Sequence, residues 1–240
     1  MSPEPQIDVA ADADDLAHRV AAFIAARIKA APQRLALNLS GGSTPRQVYQ
    51  LLGAEPYRSG VDWRKVALFW GDERFVPFDH KDSNYRMTSE ALLARLPVPP
   101  GAVHRIPTDA GSPQEAAALY QASLQEFYGA KTLDPARPLF DVTLLGLGTD
   151  GHTASLFPNT PALDERDAWA TAVIGAMPEP RISLTYPALE SSADILFLVS
   201  GAAKKEILAR LLANDRALPA SRIATRGAIH IFADRAALTL

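Results

Sequence analysis

The sequence predicts an α/β fold in which a mainly parallel central sheet is flanked by helices on both faces. Strand and helix patterns alternate along the chain, the order that builds a parallel sheet. The run Val142-Thr-Leu-Leu-Gly-Leu is apolar on both parities, as a strand buried on both faces of such a sheet must be. Several strand patterns end in polar or glycine-bearing turns, and open α/β sheets bind ligands beyond the carboxyl ends of their strands.

At 240 residues the chain can bury a full core, and length alone admits one large domain or two small ones. Pro135 and Pro138 mark a connection with strand and helix patterns on both sides, so residues 1–240 are expected to form a single domain. Hydrophobic residues make up 48% and charged residues 21%, as in ordinary soluble globular proteins. The formal net charge of -3, with acids and bases mixed, gives no basic footprint for nucleic acid, so the expected partner is a small molecule. The chain contains no cysteine, which excludes a disulfide framework, a thiolate metal site and a cysteine nucleophile. The stretch MSPEPQIDVAADADD lacks the pattern of a secretory signal, and no apolar run approaches the roughly 20 residues that span a bilayer. A cytoplasmic protein without a membrane partner, monomeric or homodimeric, is the expectation.

Between Asp12 and Ala31, Leu16, Val20, Phe23, Ile24 and Ile28 recur at helical spacing, with acids at the start and bases near the end. A strand from Leu35 to Leu39 follows, then the turn Ser40-Gly41-Gly42-Ser43-Thr44-Pro45 and a helix through Val48, Leu51 and Leu52. Pro45 suits the first helical position and Ser43 or Thr44 the cap. The next strand, Val66 to Trp70, runs into Gly71-Asp72-Glu73-Arg74, a loop through His80, and a helix from Ser83 to Leu96. A short strand is predicted near Val103 to Ile106. The helix after it, Ser112 to Tyr128, should turn Ala116, Leu119, Tyr120, Leu124 and Phe127 inward. Beyond Val142–Leu147 come strands at Trp169–Val173, from Arg181, and at Ile195–Val199. A helix begins around Ala202, and a strand from Ala228 to Phe232 closes the pattern.

The turns carry the chemistry. Adjacent Gly41 and Gly42 let an anion approach the main chain, and the helix that follows favours negative charge at its N-terminus. That reading as a phosphate cradle stands beside a plain tight turn; the spacing is neither a Walker motif nor a nucleophile elbow. Asp72, Glu73 and Arg74, directly after a buried strand, must pair with each other or meet a ligand. Asp150 and His152 lie in a glycine-rich turn after the central strand, where a histidine is available for proton transfer. Arg181 is a structural or a binding cation. Lys204 opposes the dipole of its own helix, which an anion would offset, though the lysine could equally face water. His80 between Asp79 and Asp82 fits a solvated loop better than a metal site. Together these turns suggest an enzyme of acid-base type acting on a phosphorylated small molecule.

Three segments resemble the 6-phosphogluconolactonase family: Asn38-Leu-Ser-Gly-Gly-Ser-Thr-Pro, Trp70-Gly-Asp-Glu-Arg-Phe-Val-Pro with the later Asp82-Ser-Asn-Tyr, and Gly146-Leu-Gly-Thr-Asp-Gly-His-Thr-Ala-Ser-Leu-Phe-Pro. They occur in family order over most of the chain. The resemblance implies a Rossmann-like fold shared with glucosamine-6-phosphate deaminases. It also implies hydrolysis of 6-phosphogluconolactone in the oxidative pentose phosphate pathway, with no metal and no organic cofactor. Carried onto this sequence, it makes His152 the general base for water, with Asp150 either orienting His152 or fixing the turn. Gly41, Gly42 and Ser43 become the phosphate loop, Arg181 and Lys204 the phosphate-binding cations, and Asp72 and Arg74 the border of the substrate.

The deaminase branch shares the fold and the Asp-Gly-His turn but carries a glutamate five residues after the histidine. Phe157 stands there in this chain, which favours the lactonase branch. A non-catalytic sugar-phosphate sensor is a further alternative. It would normally need an output module, for which the sequence offers no DNA-binding segment.

Overall fold

The computed structural model describes residues 4–238. Its strands are β1 (Gln6–Ala10), β2 (Leu35–Leu39), β3 (Val66–Trp70), β4 (Asp72–Arg74), β5 (Val103–His104), β6 (Phe140–Gly146), β7 (Ala170–Val173), β8 (Arg181–Leu184), β9 (Ser192–Val199) and β10 (Ala228–Asp234). Its α-helices are α1 (Ala13–Ala30), α2 (Ser43–Leu52), α3 (Tyr57–Gly60), α4 (Asn84–Ala91), α5 (Pro113–Tyr128), α6 (Tyr186–Glu190) and α7 (Lys205–Leu212).

A seven-stranded sheet runs in the order β1-β10-β9-β6-β2-β3-β5, with every pairing parallel. All residues of β2 and β3 are buried, so both faces of the sheet are covered there. The α/β expectation, with its mainly parallel sheet, therefore holds. From β2 the chain moves outward to β3 and β5, whereas from β6 it moves the other way to β9 and β10. The strand order thus reverses between β2 and β6, and a crevice opens beyond the carboxyl ends of that pair. A separate antiparallel sheet, β4-β8-β7, brings residues 72–74 and 181–184 together across long sequence separations.

The helices follow their local signals. Asp12 caps α1 by accepting from the Asp14 and Asp15 amides at 3.0 and 2.9 Å, and Leu16, Val20, Ile24 and Ile28 are fully buried. Ser112 caps α5 through the Glu115 amide at 3.1 Å. Among the described residues no helix is long and apolar enough to cross a membrane.

Several local expectations need correction. The N-cap of α2 is Gly42, not Ser43 or Thr44, and Pro45 lies in the first turn rather than at its opening position. The helix predicted to reach Leu96 stops at Ala91, because Leu92 leaves helical geometry at φ -129° and a 3₁₀ turn, Leu93–Arg95, follows. Leu119 faces outward on α5, at 49% exposure. Residues 72–74 form a strand where a loop was expected, and β1 had no counterpart among the predicted strands.

Candidate active site

The candidate side chains sit at strand ends or in the turns that follow them. After β2, Gly42 adopts φ 109° and ψ 173°, a conformation that glycine takes without strain. No side chain caps α2, so its first amides remain available to a ligand. The Tyr49 hydroxyl fixes the start of this turn, accepting from the Ser40 amide at 3.0 Å and donating to the Ser40 carbonyl at 2.8 Å. A Cβ at Gly41 would lie 2.0 Å from Asn84 Oδ1, so only glycine allows α4 to close against the turn.

The period-two alternation of β4 divides its three charges. Asp72 and Arg74 line a cavity, while Glu73 points away and is buried. Glu73 accepts from the amides of Arg74, Asn84 and Tyr85 at 2.8, 2.8 and 2.7 Å and from Ser83 Oγ at 3.2 Å, so it ties β4 to the start of α4. Burial pushes its carboxyl upward, and these amides work in the opposite direction. Asn84 Nδ2 donates to the Asp72 carbonyl at 3.0 Å, completing the join.

Arg74 and Arg181 are directly opposed in the β4–β8 ladder. Burial holds the Arg181 guanidinium below its ordinary value, and the positive charge of Arg74 adds to the effect. Arg74 Nη1 donates to the Asp82 carbonyl, and Arg181 Nε is buried without a partner. Among the described residues Asp72, Glu73, Arg74, Arg181 and Lys204 form no ion pair within 4.0 Å. Two adjacent guanidiniums without a carboxylate partner make an electrostatic opening for an anion.

After β6 the chain folds into a tight turn in which the Gly148 amide donates to the His152 carbonyl at 2.9 Å and the Gly151 amide to the Gly148 carbonyl at 3.0 Å. Gly151 has φ 84°, and a Cβ there would meet the Leu218 side chain at 2.8 Å. His152 Nδ1 lies 2.6 Å from Asp150 Oδ1, which also accepts the His152 amide at 3.1 Å. Partial burial acts to raise the Asp150 carboxyl, but the two His152 bonds outweigh it and hold Asp150 below the usual carboxylate range. An ionised carboxylate only accepts, so Nδ1 carries the proton and Nε2 is left as the basic nitrogen. The Phe157 ring backs the imidazole at a centroid distance of 4.4 Å. Ser155 Oγ donates to Asp72 Oδ2 at 2.6 Å and so fastens the histidine turn to β4.

These turns enclose a cavity of about 320 Å³ at the β2/β6 crevice. Gly41, Gly42, Ser43, Asp72, Arg74, His152, Arg181 and Lys204 all line it, although they derive from distant parts of the sequence. Asp150 is not part of the wall; it stands behind His152. Lys204 enters from the turn after β9, its Nζ donating to the Leu147 carbonyl at 2.6 Å. His80 is half-buried, with its ring 3.6 Å from Asp82, and among the described residues no cluster of three His, Asp or Glu side chains could hold a metal. Asn84, Ser40, Thr44 and Ser200 also line the cavity, and the sequence assigns none of them a binding role. Asn84 lay within a noted motif, and Ser200 stands at the end of a predicted strand.

A family described as glucosamine-6-phosphate isomerases/6-phosphogluconolactonase matches residues 11–231. The chain belongs to this family. Among its relatives, a 6-phosphogluconolactonase of Synechocystis is 39% identical over 214 residues, covering 88% of this chain and 86% of the relative. A 6-phosphogluconolactonase of Rattus norvegicus is 38% identical over 232 residues, covering 94% and 88%. The solved structure of 6-phosphogluconolactonase from Trypanosoma cruzi superposes with a TM-score of 0.85 at 29% identity, covering 99% of this chain and 97% of that one. The likeness thus extends over nearly the whole chain, and the Rossmann-like α/β architecture of the family matches the sheet described above.

Proposed function

We propose that this chain hydrolyses 6-phosphogluconolactone to 6-phosphogluconate, with His152 as general base and without a metal step. The relatives named as 6-phosphogluconolactonases support the substrate. The observation that carries the mechanism is the 2.6 Å contact by which Asp150 holds Nδ1 of His152, whose ring lines a cavity together with Arg74, Arg181 and Lys204. In this reading residues 1–240 act as a single catalytic domain, supported by a core that continues beneath both sheets.

Asp150 holds the imidazole in the tautomer that presents Nε2 and stabilises the imidazolium once it forms. Nε2 takes one proton from water as the water oxygen bonds to the lactone carbonyl carbon. The tetrahedral intermediate then breaks its bond to the ring oxygen, which leaves with the proton returned by the imidazolium. The second water proton departs when the new carboxylic acid ionises. An activated ester needs no covalent nucleophile for this sequence. Arg181, Lys204, the amides of the α2 N-terminus and the flanking Asp72 and Arg74 bind the distant phosphate and sugar. That binding energy orients the carbonyl against the water.

Phe157 bears on the isomerase branch of the family. Its ring packs on His152 and carries no ionisable group, so a histidine–carboxylate relay for sugar-ring opening has no second member at that position. The direct test follows 6-phosphogluconolactone loss with the full chain against a buffer blank, because the lactone also opens unaided. Acceleration that saturates with substrate supports the assignment. A rate equal to the blank, with conversion of glucosamine 6-phosphate instead, would transfer the chain to the isomerase branch.

A further inference from the structure

We propose that Asp234 is a positioning residue that holds Lys204 at the phosphate end of the cavity. The inference rests on the reading of Lys204 as a phosphate-binding cation. Asp234 is the last residue of β10, one step beyond the Ala233–Val199 register pair, and so stands beside the turn that leaves β9. It is only 2% exposed. Its carboxylate accepts from Ser200 Oγ at 2.5 Å, from the Gly201 amide at 3.1 Å through both oxygens, and from the Ala237 amide at 2.8 Å.

Among the described residues no cation pairs with this carboxylate, so its hydrogen-bonding capacity serves the turn and the chain just after β10. Gly201 adopts φ 94° and ψ 150°, a conformation in which other residues are strained, and it opens the 3₁₀ turn Ala202–Lys204. The Lys204 amide in turn donates to the Gly201 carbonyl at 3.0 Å. The lysine is therefore held at both ends. Asp234 fixes the turn that sets its Cα, and the Leu147 carbonyl receives its ammonium group at the start of the histidine turn. Adjacent strand ends, from β10 through β9 to β6, thus link a residue outside the cavity wall to a cation inside it.

There is a chemical consequence for Ser200, which lines the cavity. Its proton is committed to Asp234, so it presents acceptor lone pairs rather than a donor, and on this side of the cavity Lys204 supplies the donor to the phosphate.

The test is a kinetic cycle on the full chain with Asp234→Asn, Lys204→Ala and the double variant, each first checked for a cooperative thermal transition. Asp234→Asn should raise KM for the lactone roughly tenfold with little change in kcat, as loss of one uniform-binding contact does. Competition by inorganic phosphate should weaken by the same factor. In the Lys204→Ala background the same substitution should add nothing further. Gly201→Ala strains the turn without touching β10 and should move KM in the same direction, which keeps the test open if Asp234→Asn fails to fold. Additive losses in the double variant, a fall in kcat alone, or an unchanged KM in both turn variants would overturn the proposal. If Lys204→Ala raises KM while Asp234→Asn and Gly201→Ala do not, this inference alone fails. If Lys204→Ala leaves KM unchanged, the phosphate reading fails and takes this inference with it.

Discussion

A Cβ placed on Gly148 would lie 2.1 Å from His152 Nδ1 and 2.6 Å from Asp150 Oδ1. The imidazole packs directly against a backbone that has room for it only because residue 148 is glycine. The catalytic reading of His152 therefore depends on a residue with no chemistry of its own.

Gly148→Ala should push the imidazole away from Asp150 and lower lactone turnover by roughly 100-fold, the scale of a misplacement of about 1 Å. Because the strain is local, the thermal transition should remain cooperative. Steady-state kinetics and a melting curve on the same preparation check both halves of this expectation.

Phe157→Ala removes a buried ring that supports His152 from behind. Truncating a buried phenylalanine costs about 3–5 kcal/mol, so the denaturant midpoint should fall markedly. Turnover measured well below the melting range should also drop, since the imidazole loses a wall that restricts its orientation.

Glu73→Gln tests whether the middle charge of Asp72-Glu73-Arg74 is structural. The glutamine amide would face backbone donors that now bond to a carboxylate, at a cost of about 1–3 kcal/mol. Amide exchange should quicken at Asn84 and Tyr85. KM should rise as Asn84 loosens its hold against Gly41.

At the opposite end of the strands, Asp194 meets His230 Nε2 at 2.9 Å and Arg27 Nη2 at 2.7 Å. Burial acts to raise the Asp194 carboxyl, but these two bonds prevail and hold it below its ordinary value. A carboxylate depressed in the folded state contributes stability above the pKa it has when unfolded, and that contribution disappears as pH falls through the folded value. Asp194→Asn should therefore lower the melting temperature at pH 7, and its gap from the unsubstituted protein should narrow below about pH 4. A gap that stays constant with pH would contradict the ion-pair account.

The central sheet was readable because β3 is uniformly apolar, β2 is interrupted only by Asn38, and β9 continues from Asp194 into the apolar run Ile195–Val199. In contrast, β1 is a five-residue edge strand with Ile7 and Val9 substantially exposed, so its pairing with β10 has little local signature. The strand formed by residues 72–74 exists only through its antiparallel partner β8, a contact across more than a hundred residues that no short window contains. In the site, glycines and charges at strand ends announced themselves by type. The cavity-lining Asn84 and Ser200 did not, because an uncharged polar residue at an element boundary usually serves as a cap or turn former. The separation of Glu73 from its charged neighbours needed the extended geometry of β4, which the sequence had not suggested.

The decisive measurement compares 6-phosphogluconolactone hydrolysis by the unsubstituted chain and by His152→Ala, each corrected for spontaneous opening, alongside binding of 6-phosphogluconate. Loss of about 100- to 10,000-fold in turnover with product affinity largely retained is the predicted result. Near-normal turnover by His152→Ala would contradict a water-activating role for this histidine.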